Sequence, residues 1–276
     1  IAWHAYAEGR KAPITQRAWG RMQAIPAPLR QLASGALLAL PARAWTGLHG
    51  MARKASARVP AYTRFGEKVH KGARAMRADN ADALYLHTVS QWSDPALVVP
   101  GVAEPKSLLT GAASPLAALP DVARMMAYDT LTYLPDDILV KVDRAAMAVS
   151  LETRVPFLDH QVVEHAWRMP MSLKLRDGVG KWALREVLFR HVPRTLVERP
   201  KMGFGVPIDH WLRGPLRDWA ESLLDAGRLR AEGYLAAEPI RATWQAHLDR
   251  TDDQQYALWN VLTFQAWLEQ QAAGPN

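Results

Sequence analysis

The 276 residues predict a mostly α-helical chain, on three observations. Apolar residues recur at i, i+3, i+4 and i+7 through most of the length, which is the spacing of an amphipathic helix. No stretch sustains the apolar–polar alternation of a half-buried strand, and no internal repeat is present. Prolines punctuate the pattern at intervals that suit helix ends. From residue 1 to about 78, helices are expected between breaks at Pro13, Pro26, Pro28, Pro41 and Pro60. Pro95 to Pro120 reads as a turn-rich connector. Further helices are expected near 121–133, 136–152, 160–168 and 180–190, and then near 208–226, 236–249 and 253–271. In the last three, Trp211, Trp219, Trp244, Trp259 and Trp267 are the expected core anchors. The coarse division is residues 1–120, basic and Ala/Arg-rich with its connector, and residues 121–276, a helical carboxyl-terminal region.

Composition narrows the class. With 49% hydrophobic residues the chain can fill a core. No apolar run approaches the ~20 residues of a bilayer span, and Ala36–Leu40 is closed by Pro41. A cytoplasmic chain without a membrane partner is therefore expected, and zero cysteines agree with a reducing compartment. The nine histidines show no metal-ligand spacing, so no protein-held metal is expected. Residues 1–80 carry fourteen Lys and Arg against three acidic residues, and the rest is slightly acidic. The arginines of that part, among them Arg21, Arg30, Arg43 and Arg53, are spread at helical spacings without a nucleic-acid motif. They predict a solvated helical face and no nucleic acid.

Chemistry is concentrated between Tyr133 and Lys181. Val142, Ala145, Ala146 and Val149 form an apolar stripe of a helix that Pro135 and Asp136 can start and Pro156 must end. Glu152 then falls in or just past the last turn, where the helix dipole disfavours a carboxylate by a few tenths of a kcal/mol to about 1 kcal/mol. After the turn Asp177–Gly180, Lys181 falls in the first turn of the next helix, where a cation is disfavoured for the mirror reason. Two opposite charges, each badly placed for its own helix, suggest a site, although single misplaced charges are common on solvated surfaces. Asp137 and Lys141 have the spacing of a favourable helical pair, and Asp159 reads as an N-cap.

The string LPDDILVKVDRAAMAVSLETRVPFLDH, followed by DGVGKWALRE and RPKMGFGVPIDHWLRGPLRDW, closely resembles the synthetase half of the glutamine-hydrolysing asparagine synthetases. The likeness runs in order from about Tyr128 to about Leu224, and SLExRxPFLD is its most specific part. It implies the helical carboxyl-terminal portion of an α/β synthetase domain of the ATP-pyrophosphatase (adenine nucleotide alpha hydrolase-like) type. In that family, ATP and the aspartate side-chain carboxylate give β-aspartyl-AMP and pyrophosphate, and ammonia released from glutamine then displaces AMP. By resemblance Glu152 and Lys181 are the catalytic candidates, Glu152 at the acyl-adenylate and the incoming amine, Lys181 against the phosphates. Ser150 and Leu151 match positions lining the ATP site. In KMGFGVP, which otherwise reads as a plain loop, Lys201 is a candidate phosphate contact.

These roles suit the chemistry. Carboxylate attack on the α-phosphorus accumulates charge on phosphoryl oxygens, which a positioned ammonium stabilises more than it does the ground state. Amide formation sheds protons that a carboxylate can accept. The family's glycine-rich loops SGGxDS and SGDGGDE do not occur in these residues, nor does a glutaminase cysteine. The expectation is a carboxyl-terminal piece of a longer enzyme, inactive alone. ATP and Mg2+ would need the amino-terminal loops, and the partners would be the amino-terminal synthetase half, a glutaminase domain and a second copy in a homodimer. Two other readings stand beside it. One is an adenylating amidotransferase or β-lactam-synthetase-like relative acting on another carboxylate, and the other is a noncatalytic helical binding module.

Overall fold

The computed structural model describes residues 21–56, 65–92, 94–109, 115–177, 179–198 and 205–274. Helices dominate, as the periodicity predicts, and the described strands are one two-residue pair. The chain forms two compact units, each drawn from two stretches: Ile1–Ile25 with Lys106–Met202, and Pro26–Pro105 with Gly203–Asn276.

The second unit holds the larger core. Its first stretch supplies α1 (Ala27–Ala39), α2 (Ala42–Ala55), α3 (Phe65–Ala75) and α4 (Ala81–Val89). Proline starts α1 and α2, where a missing N–H costs nothing, and the Asn80 side chain caps α4 by accepting from the Ala83 N–H. At Gly66 a Cβ would stand 1.8 Å from the Ala42 carbonyl oxygen, so α3 can approach α2 this closely only through glycine.

The remaining helices of this unit are α11 (Ile208–Arg213), α12 (Arg217–Leu223), α13 (Ala226–Glu232), α14 (Ala237–Leu248) and α15 (Gln255–Ala272). Leu212, Leu223, Leu224, Leu229, Ile240, Trp244, Leu258 and Leu262 interlock among them with almost no exposure. The two stretches are joined by polar contacts to the same core. Trp92 donates its indole N–H to the Ala257 carbonyl at 3.1 Å, Ala236 N–H bonds Val98 O at 2.9 Å, and Arg74 pairs with Asp252 at 3.5 Å. Of the expected tryptophan anchors, Trp244 is fully buried and Trp259 packs at the core margin, but Trp211, Trp219 and Trp267 are 37%, 36% and 53% exposed. Leucines fill the space, and the wide indoles cover its edge.

The first unit contains α5 (Asp121–Leu131), a π-helical turn Leu134–Leu139, α6 (Val140–Met147), a 3-10 turn Pro156–Leu158, α7 (His160–Arg168) and α8 (Met171–Lys174). It continues with β1 (Leu175–Arg176) antiparallel to β2 (Val179–Gly180), α9 (Trp182–Leu188) and α10 (Arg194–Val197). Among its described residues, burial is confined to Met126, Ala127, Tyr128 and Asp129 on α5. The expected inner stripe is therefore not a core here, since Val142 is 37% and Val149 74% exposed.

In the second unit, Glu221 is partly desolvated, which opposes its charge. Hydrogen bonds from Arg241 and the Trp244 indole, with the charges of Arg241 and Arg217, outweigh this and hold its carboxyl below the ordinary value of 4.5. Because its folded value is the lower one, its contribution is present above the unfolded value and is lost as pH falls through the folded one. Glu221→Gln is expected to flatten the acid limb of a urea-stability profile below about pH 4.5. An unchanged acid limb would show that the pair contributes nothing.

Candidate active site

The π-helical turn and α6 form one continuous rise that stops earlier than the sequence predicts. The expected helix 136–152 ends at Met147, with Ala148 as its cap. The closure is specific: Leu151 N–H bonds Ala146 O and Ser150 N–H bonds Met147 O, both at 2.9 Å, with Ser150 in the left-handed region at φ 60°. This is a Schellman ending in which serine holds the place that glycine fills most easily. A left-handed backbone costs a non-glycine residue about 1–2 kcal/mol. Glu152 and the residues to Val155 then run as irregular extended chain.

Glu152 consequently lies past the helix end and not in its last turn. Its nearest compensating charge is Arg154, which pairs with it at 2.6 Å while both side chains are more than two-thirds exposed. Ser150 and Leu151 are likewise exposed, Leu151 at 59%. An open groove of about 730 Å³ follows, bordered by Val142 and Asp143 of α6 and by Thr153, Arg154 and Asp159.

Lys181 is set by a different device. Leu175 pairs with Gly180 and Arg176 with Val179, leaving Asp177-Gly178 as the connecting dipeptide, a sequence suited to a two-residue hairpin. Asp177 has the positive φ of 51° that such a turn requires. Lys181 follows at φ 58° and is the N-cap of α9, not a first-turn residue. Its carbonyl accepts from Arg185 N–H at 2.9 Å, and Arg185 Nε holds the preceding Gly180 carbonyl at 3.2 Å. The side chain borders a cavity of about 290 Å³ whose walls include Met126, Phe157, Trp167 and Leu184. Glu152 is not among the residues bordering either space. Lys201 lies outside the described residues.

Two further groups bear on this region. Lys174 also borders the apolar cavity, with Nζ 5.1 Å from the Trp167 ring centre, and burial pushes its ammonium below the usual lysine range. Its signal in the sequence is a lysine between Leu173 and Leu175. Tyr133 is held above the ordinary phenol value by burial first, and then by the charge of and hydrogen bond to Asp137 and the charge of Asp129. Local pairing otherwise follows the sequence: Asp137 faces Lys141 at 3.9 Å, and Asp159 caps α7 by accepting from Gln161 and Val162 N–H groups. Among the described residues no three His, Asp or Glu side chains converge on a metal position. The described residues thus offer no three-ligand site that would hold Mg2+ by protein groups alone.

The asparagine synthase family pattern matches residues 10–269, and the chain belongs to that family. The fold is accordingly the mostly helical part of an ATP-pyrophosphatase-like synthetase domain. A putative glutamine-hydrolysing asparagine synthetase of Mycobacterium tuberculosis is 42% identical over 147 residues, which are 53% of this chain and 22% of that protein. Glutamine-hydrolysing asparagine synthetase 1 of Bacillus subtilis is 34% identical over 147 residues, 53% of this chain and 23% of its own length. The rat asparagine synthetase is 32% identical over 135 residues, 40% of this chain and 24% of that one. The chain thus spans under a quarter of the length of these relatives in the matched region. No solved structure matches it.

Ser150→Gly is expected to raise the urea midpoint, with a gain of up to about 1 kcal/mol after the extra unfolded-state freedom of glycine is subtracted. A lower midpoint would show that the hydroxyl contributes more than the backbone conformation costs.

Proposed function

We propose that this chain supplies Glu152 and Lys181 to an ATP-dependent asparagine synthetase that adenylates the aspartate side-chain carboxylate and passes glutamine-derived ammonia to it. The observation that carries the proposal is the backbone at the two matching segments. Ser150 in SLETR and Lys181 in DGVGK are both non-glycine residues held in left-handed conformation by specific hydrogen bonds. Strain of this kind concentrates where a side chain must be aimed.

The chemistry assigned to each residue is limited to what it can do. The carboxylate oxygen of aspartate attacks the α-phosphorus of ATP and pyrophosphate leaves. The ammonium of Lys181, a residue that borders the cavity, stabilises charge building on the phosphoryl oxygens. Ammonia then attacks the mixed anhydride, AMP departs, and the proton lost from nitrogen passes to the Glu152 carboxylate. For this Glu152 must exchange Arg154 for the substrate amine, which an exposed pair allows at little cost. Ser150 and Leu151 would border the nucleotide, and Lys201 would reach its phosphates.

A second reading draws on the apolar walls beside Lys181 and Lys174, which offer little to the amino and α-carboxyl groups of aspartate. They favour a related adenylating amidotransferase whose carboxylate carries a larger apolar body.

In the enzyme that contains this chain, Lys181→Ala is expected to lower carboxylate-dependent pyrophosphate release by about a hundredfold to a thousandfold, roughly 3 to 4 kcal/mol. Release at near the wild-type rate would overturn the assignment. Running the wild type with aspartate and with arylalkyl carboxylates separates the two readings, because only the favoured substrate supports release.

A further inference from the structure

The apolar cavity of the first unit carries charge of a single sign. It measures about 290 Å³, at the small end of ligand pockets. Its walls include Met126 of α5, Phe157 of the 3-10 turn, Trp167 of α7 and Leu184 of α9, all within one compact unit. Among the described residues that border it there is no Asp or Glu, and the charged ones are Lys174 and Lys181. The hairpin sets these two lysines against each other. Leu175 pairs with Gly180, and the same antiparallel register carried one residue outward brings Lys174 opposite Lys181. Like charges so placed repel.

Lys174 is the less ordinary of the two. It is half-buried at the end of α8, and among the described residues its ammonium meets no carboxylate, only the Trp167 ring at 5.1 Å. An indole face attracts a cation, but it leaves most of the three ammonium donors unbonded. Burial without a counter-ion is what lowers the proton affinity of this lysine. Thr130, which also borders the cavity, gives its hydroxyl proton to the Met126 carbonyl at 2.8 Å and presents lone pairs without a charge. The complement of this environment is a negative charge with apolar surface behind it.

We infer that this cavity takes a small apolar monocarboxylate, its carboxylate paired with the Lys174 ammonium beside Lys181 and its hydrocarbon part against Met126, Phe157, Trp167 and Leu184. The carboxylate offsets the repulsion between the two lysines and offers acceptors to the Lys174 donors. Each methylene that enters leaves water for apolar walls. Other anions fit less well. Phosphate sites surround several charged oxygens with backbone N–H groups, whereas these walls are aliphatic and aromatic side chains. Free aspartate brings an α-ammonium group that two lysines repel and that no acidic residue bordering the cavity receives. The inference rests on the second reading above and deepens it, because it makes Lys174 the residue that selects and holds the carboxylate. Binding itself requires neither ATP nor turnover.

The experiment is calorimetric titration of the 276-residue chain with phenylbutanoate in the absence of ATP, beside phenylbutanol and inorganic pyrophosphate. Lys174→Met removes the charge and keeps the side chain's length. Ala166→Phe places a ring in the cavity from its α7 wall. Lys141→Met removes a cation that pairs with Asp137 away from the cavity. Circular dichroism checks that each variant folds. Phenylbutanoate is expected to bind at least about tenfold tighter than the alcohol, to weaken at least about tenfold on Lys174→Met or Ala166→Phe, and to be unaffected by Lys141→Met. No binding, equal affinity for the alcohol, indifference to Lys174→Met, an equal loss on Lys141→Met, or displacement by pyrophosphate at lower concentration would each overturn it. In the enzyme that contains this chain, such binding without carboxylate-dependent pyrophosphate release would support the cavity site and overturn the adenylation reading. Release without such binding would do the reverse.

Discussion

Burial of Trp244 among the leucines of α11, α12, α14 and α15 is the interaction on which the rest of the second unit depends. Trp244, Leu212, Leu258 and Leu262 are fully enclosed, and each such side chain contributes roughly 1.5–3 kcal/mol by leaving water. The indole N–H would be costly to bury unpartnered, and Glu221 accepts it while also receiving Arg241. The same core fixes the far stretch of chain, because Trp92 and Val98 are bonded to backbone groups of the C-terminal helices.

No comparable core stands behind the candidate site. α6 and the extended SLETR segment expose Val140, Met147, Val149, Leu151 and Val155, so local hydrogen bonds fix their course where packing does not. The Schellman ending at Ser150 and the hairpin before Lys181 are such devices. Each orients a short segment through backbone groups, and each leaves its candidate side chain exposed, Glu152 in SLETR and Lys181 in DGVGK. Such a surface suits chemistry completed by groups from elsewhere in an enzyme, in keeping with relatives several times longer than the matched region.

Local signals were legible in the sequence, and long-range ones were not. The helical class, the Asp159 cap, the Asp137–Lys141 pair and the turn before Lys181 depend on residues within a few positions of one another, so spacing reveals them. The helix end at Met147 was missed because a serine, not a glycine, takes the left-handed position, and Pro156 offered a later and more obvious stop. The exposure of Val142 and Val149 was illegible because an amphipathic stripe announces a face without saying what covers it. The burial of Arg30 on α1 was hidden for the opposite reason. Arg30 is buried by carbonyls nearly fifty residues away, which no local pattern encodes.

The central claim is that cohesion resides in the Trp244 core while the segment bearing Glu152 is held by local hydrogen bonds alone. Hydrogen–deuterium exchange of the 276-residue chain, resolved by peptide, tests it most directly. Amides of α14 and α15 are expected to exchange only through global unfolding, and those of residues 140–155 at least about a hundredfold faster. Equal protection of the two regions would contradict the claim, since residues 140–155 would then belong to a cooperative core that their exposure does not provide.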